Sequence, residues 1–263
     1  MSETTFADYT GPAELRTRGT ILVVPGRGES EATYQRFGRR LAADSYRVRV
    51  LPAPVIAADD LDSSLERLAA QLADAAAGLG ADVPVPPLVL AGSDTGAVAL
   101  AALVARQASQ PGVPDAAWWP QALILAALPG YAAHAPGGWD EELDVRTHCT
   151  VHRGVLGADP SVQRGTFSAA VPGALLDAAY GSTADVPQLL VVGDADPFAD
   201  REALARAAKA LPAARLVVVR GAHHDVLNDL QHRSVAAEVV AFLEALRGET
   251  PLRPLVAVES SAW

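Results

Sequence analysis

The chain has almost no cysteine. Cys149 is the only one in 263 residues, so no disulfide can form within it, and a reducing, cytoplasmic setting is the expectation. Positive charge is in short supply too. The 21 Lys and Arg against 31 Asp and Glu leave a net charge of −10. That excess argues against nucleic-acid binding, which needs a basic face. No apolar run reaches the roughly 18 residues needed to span a bilayer. The opening residues Met1–Asp8 are polar and lack an apolar h-region, so no signal peptide is expected. Low-complexity tracts and internal repeats are also missing. What the chain does have is a content of 50% apolar residues, mostly Ala, Val and Leu, enough for a sizeable core.

Those apolar residues come in short blocks. Ile21–Val24, Tyr46–Leu51, Leu88–Ala91, Ala122–Leu128, Gln188–Val192 and Arg215–Val219 read as strands, most of them ended by Gly or Pro. Helical patterns lie between them. Tyr34, Phe37 and Leu41 share one helix face. Leu65, Leu68 and Leu72 mark another, opening at Ser63 with Glu66 as a capping box. Helices are also expected over 200–211 and from about Val226 to Leu246, with loops at 111–115 and in the tail from 250. Strand–helix alternation predicts an α/β fold: a doubly wound, mostly parallel sheet with helices on both faces. We read residues 1–263 as a single domain. The segment 131–187 breaks the rhythm, is too long for a plain connection, and reads as a lid.

The stretch Leu88–Leu100 carries the sharpest local signal. A buried strand runs into Gly92-Ser93-Asp94-Thr95-Gly96 and then into a small-residue helix. Glycines at the first and fifth positions are what a nucleophile elbow requires, because side chains there would strike strand and helix. The central residue is Asp94. Shifting the frame to Ser93 would put the glycines at the wrong offsets.

Asp94, Asp196 and His224 follow one another as nucleophile, acid and histidine. Each lies at the carboxyl end of a strand, as does Pro25-Gly26-Arg27. With these residues the chain resembles the α/β-hydrolase superfamily, in particular its monoacylglycerol-lipase-like branch, over residues 18–248. Gly221-Ala-His-His224-Asp-Val-Leu-Asn228-Asp229 is similar to that branch's histidine loop, and Gly193-Asp-Ala-Asp196-Pro197 to its acid loop. The resemblance implies an α/β-hydrolase fold and an oxyanion hole built from the backbone N–H groups of Arg27 and Thr95. It also implies a small-molecule substrate and no cofactor. The chain departs from the branch in having Pro25 where the oxyanion loop usually has His, and Asp94 where the nucleophile is usually Ser.

A carboxylate attacking an ester would leave an anhydride. Attack on a saturated carbon bearing a halide or an epoxide oxygen leaves an ordinary ester, which water activated by His224 can open. The expected reaction is therefore hydrolysis of a small apolar substrate, as in epoxide hydrolases and dehalogenases of this superfamily. A carboxylesterase, a lyase or cyclase using Asp94 and His224 as an acid–base pair, and a non-catalytic relative are the alternatives. Tyr131 and Tyr180 are candidate acids for an epoxide, and Tyr131, Trp139 and Tyr180 candidate pocket residues. Trp118 and Trp119 are expected to pack at a strand start. Asp194 competes with Asp196 as the acid, and His148, Cys149 and His152 have metal-ligand spacing but read as lid side chains. Arg27's side chain reads either as a holder of a substrate anion or as an exposed arginine.

Overall fold

A computed structural model describes residues 6–79, 84–110, 116–132, 134–248, 252–256 and 259–261. The loop expected at 111–115 lies outside these residues, as does part of the tail from 250 onward. Among the described residues seven strands form one sheet: β1 (Ala7–Tyr9), β2 (Thr20–Val24), β3 (Arg47–Val50), β4 (Leu88–Ser93), β5 (Ala122–Ala126), β6 (Gln188–Gly193) and β7 (Ala214–Val219). Their order is β1-β3-β2-β4-β5-β6-β7, with β1 antiparallel to β3 and the rest parallel.

Strands β2, β4, β5 and β6 are buried along their whole length. Leu22 and Val24 of β2 enter one core, with helices α2 (Leu61–Ala77) and α3 (Asp94–Ala108). Ile21 and Val23 enter the other, with α1 (Gln35–Ala43) and α8 (His232–Leu246). Burial on both sides is why these strands read as unbroken apolar runs rather than alternations. Trp118 lies in the first core and Trp119 packs against it. No helix among the described residues is long and apolar enough to cross a membrane.

Three elements differ from expectation. Helix α2 is capped by Asp60, whose carboxylate accepts a hydrogen bond from the Ser63 N–H at 3.2 Å. The Ser63–Glu66 box therefore falls inside the first turn, displaced by a charged cap that suits the positive helix end. Helix α8 begins at His232 rather than Val226. The preceding stretch is held in turns because Asp229 accepts bonds from the Thr147 hydroxyl and from the N–H groups of His148 and His223.

The segment 131–187 holds two helices that its sequence does not suggest, α4 (Trp139–Arg146) and α5 (Thr150–Ala158), besides α6 (Gly173–Tyr180), which the sequence predicts with these bounds. Helix α4 escaped notice because it is mostly charged, with Leu143 its one fully buried apolar residue. Helix α6 puts Leu175, Leu176 and Ala179 into the first core. It therefore belongs to the body of the domain.

From β2 the chain crosses to β3 on one side, and the next strand, β4, pairs on the other. The loops following β2 and β4 open between diverging connections, the place where open α/β sheets offer a crevice. Pro25–Arg27 and Asp94 occupy it.

Candidate active site

Asp94 is the first residue of α3 and has a φ of +48°, a conformation that strains a non-glycine residue. A Cβ on Gly92 would lie 2.7 Å from the Ala97 backbone, and one on Gly96 would lie 2.4 Å from the carbonyl oxygens of Val24 and Pro25. Only glycine fits at either place. The turn lifts the Asp94 side chain above the sheet, against the loop that follows β2.

His224 reaches the same point from the loop after β7. Its Nδ1 lies 2.9 Å from Asp196 Oδ2 and its Nε2 lies 3.3 Å from Asp94 Oδ1. Nε2 thus makes an ion-pair contact but, among the described residues, no aligned hydrogen bond. Asp194 is engaged elsewhere, accepting from the Gly221 N–H at 2.6 Å. His223 stacks on His148 with ring centroids 3.7 Å apart. So the structure brings together Asp94, His224 and Asp196, in that connectivity.

The Arg27 N–H donates to Asp94 Oδ2 at 2.9 Å, and the Thr95 hydroxyl approaches the same oxygen at 3.3 Å. The side chain of Arg27 overturns the reading of it as exposed. Its Nε donates to Asp94 Oδ2 and its Nη2 to Oδ1, both at 2.8 Å. Nη1 donates to the Ala169 carbonyl, and the guanidinium lies over the rings of Phe167 and Phe198. A planar cation with fork geometry matches a carboxylate and two aromatic faces at once.

These contacts set the charges. Burial alone would raise the Asp94 pKa, but the Arg27 charge, the adjacent His224 ring and the hydrogen bonds from Arg27 hold it well below the usual carboxylate range. Burial would lower that of His224. Asp196 beside it, and then Asp94, push it up to about 10 instead. The two carboxylates thus favour the imidazolium form of His224. Folding binds this proton, so the stability it contributes is complete below about pH 6.5 and fades as pH rises through about 10. The stability gap between wild type and His224→Gln should accordingly narrow from pH 6.5 to pH 10 in thermal unfolding. A constant gap would contradict the raised value.

Beneath the loop lies a buried polar layer that the sequence reading missed. The Gly26 N–H donates to Glu29 Oε2 at 2.7 Å, and Tyr34 also donates to that oxygen. Burial and the nearby Asp225 push Glu29 up to about 7, against Arg146 and the two donors. Arg146 Nη2 donates to the Arg27 carbonyl at 2.7 Å and to Glu142. Its Nη1 is 3.6 Å from Asp225. Glu29 and Arg146 thereby hold the peptides on either side of the Arg27 N–H. The only sequence signal for this layer is the four-residue spacing of Glu142 and Arg146 on one helix.

Two cavities flank Arg27. One of about 40 Å³ is lined by Tyr131, His134, Phe167 and Phe198; the other, of about 340 Å³, by Gly26, Thr95, Ile56, Gln163, Thr166 and Val171. Arg27 lines both, and Asp94 lines neither. The Tyr131 hydroxyl donates to Asp177 and that of Tyr180 to the Pro129 carbonyl. Neither hydroxyl is directed at Asp94, and Tyr180 lines neither cavity. Trp139 packs instead on Leu143, Leu156 and Val162, under Arg164. His152 pairs with Asp225, and Cys149 accepts from Arg36. Among the described residues no cluster of three or more His, Cys, Asp or Glu could hold a metal.

Sheet order, elbow and histidine loop define an α/β-hydrolase fold. A family model described as TAP-like protein matches residues 170–253. Among solved structures, the chain is similar to a soluble variant of monoglyceride lipase from Saccharomyces cerevisiae in complex with a substrate analog. The identity is 16%, covering 91% of this chain and 90% of that one, with a TM-score of 0.65. The monoacylglycerol lipase of Paleococcus ferrophilus is similar at 17% identity, 92% and 98% coverage and TM-score 0.61. The enol-lactonase of Burkholderia xenovorans LB400 is similar at 15%, 91% and 96%, and 0.62. No curated protein matches the chain in sequence.

Proposed function

We propose that the protein is a hydrolase that works through a covalent ester on Asp94, formed by attack on a saturated carbon bearing a halide or an epoxide oxygen. One observation carries this reading. Asp94 Oδ2 is already bonded to the Arg27 N–H, while Oδ1 faces His224 Nε2. An N–H placed there does nothing for the first displacement, but it would stabilise the oxyanion when water attacks the Asp94 carboxyl carbon.

In the first step Oδ1 bonds the substrate carbon, and the carbon–halide or carbon–oxygen bond breaks with its electron pair on the leaving atom. Asp94 becomes a neutral ester, and one of the two carboxylates holding the His224 proton is lost. The imidazolium then gives that proton up, to the alkoxide of an opened epoxide or to solvent. Neutral His224, oriented by Asp196, next takes a proton from water at Nε2, and the hydroxide adds to the ester carbon. Collapse of the adduct expels the alcohol oxygen, which takes the proton of the adduct's hydroxyl, and leaves the Asp94 carboxylate beside the protonated His224.

The resting imidazolium also suits a second reading, with His224 as a general acid and Asp94 as its non-covalent partner. Mass spectrometry separates the two. Incubated with a panel of epoxides and alkyl halides, His224→Gln should accumulate a mass increase that maps to Asp94, and Asp94→Ala should show none. Substrate turnover by wild type with no adduct in His224→Gln would leave the acid–base reading.

A further inference from the structure

Arg27 stands where a substrate must lie. Both oxygens of Asp94 are bonded by its guanidinium, and Asp94 is 2% exposed. Arg27 lines both cavities, whereas Asp94 lines neither. Yet the guanidinium is not locked to Asp94 from behind. Beyond the carboxylate its partners are one neutral carbonyl, from Ala169 on an exposed stretch, and two ring faces along which a planar cation can slide. Among the described residues it is also the sole Lys or Arg lining either cavity. A neutral molecule arriving there would have to break a buried bidentate ion pair with nothing to replace it, a penalty on the order of a hundredfold or more in binding. A molecule carrying a carboxylate offers Arg27 an equivalent partner in the same fork geometry.

We propose that Arg27 is a handover gate, covering Asp94 until a substrate carboxylate takes Asp94's place on its guanidinium, so that the protein acts on small organic acids. The exchange is one anion for another, and it frees Oδ1 at the moment the substrate is held beside it. The larger cavity, at about 340 Å³, fits a single-ring acid. Its apolar side, from Ile56 and Val171, would take the carbon skeleton, with Arg27 at the charged end. The inference rests on the covalent reading only in naming that acid as the substrate.

The test needs no chemistry. Benzoate and benzamide have nearly the same shape and differ in charge. By titration calorimetry at pH 7, wild type should bind benzoate about tenfold more tightly than benzamide. Asp94→Asn keeps the side-chain shape but releases the guanidinium, so both affinities should rise, with benzoate still bound about tenfold or more tightly than benzamide. Arg27→Met should bind both alike, and should that variant not fold, wild type and Asp94→Asn decide the matter. Equal binding of the two probes in Asp94→Asn would overturn the proposal. So would a benzoate preference confined to Asp94→Asn, since an anion would then be unable to displace Asp94. A benzoate preference without any Asp94 adduct refutes the covalent step alone. An adduct without the preference refutes the handover alone.

Discussion

Arg146→Met should destabilise the protein by about 3–5 kcal/mol near pH 8 and by clearly less near pH 5. Arg146 is 1% exposed, bonded to Glu142, 3.6 Å from Asp225, and lies over the Phe167 ring. Methionine would fill much of the space but leave Glu142, Asp225 and Glu29 without the cation they share. Folded carboxylates deprived of it take up protons at higher pH than unfolded ones do. The variant's stability therefore falls as pH rises through that range, which fixes the sign. Urea unfolding at the two pH values checks it. Equal losses at both would mean that Arg146 supplied packing over Phe167 rather than charge. The variant should also lose activity, because Arg146 holds the Arg27 carbonyl and with it one of the two peptides that flank the Arg27 N–H.

Gly96→Ala should prevent folding or destabilise by at least about 3 kcal/mol. The added methyl would sit 2.4 Å from two carbonyl oxygens at the end of β2. That strand cannot retreat, since it is paired on both sides, to β3 and β4. Gly154→Ala is the control. It lies within α5, where an added Cβ meets nothing within 4 Å, and should stabilise by up to about 1 kcal/mol. Thermal unfolding of the pair shows whether contact distance or helix propensity governs glycine in this chain. A folded Gly96→Ala with unchanged midpoint would refute the elbow geometry.

Much of this was legible beforehand because it is enforced locally. A strand covered on both faces must be apolar throughout, so β2, β4, β5 and β6 announce themselves. An elbow needs glycine at two positions, so Gly92 and Gly96 point to Asp94. The residues that stayed hidden act across the fold. Arg27's guanidinium meets Asp94 67 positions away, and no local pattern says whether an arginine will face water or a carboxylate. Glu29, Arg146 and Asp225 are charged residues in the interior, against the composition rule by which a sequence is read. The start of α8 was misplaced because Asp229 is tied to a segment some 80 residues earlier.

Asp94 and Asp196 face Arg27 and His224 with side chains at most 12% exposed. Two negative and two positive charges sum to zero in a space with little water to absorb an imbalance. Converting Asp94 to an ester would leave a surplus positive charge there, and release of the His224 proton restores neutrality. Electroneutrality of the interior would then set the stoichiometry of turnover: one proton leaves for each bond made at Asp94, and one returns for each bond that water breaks.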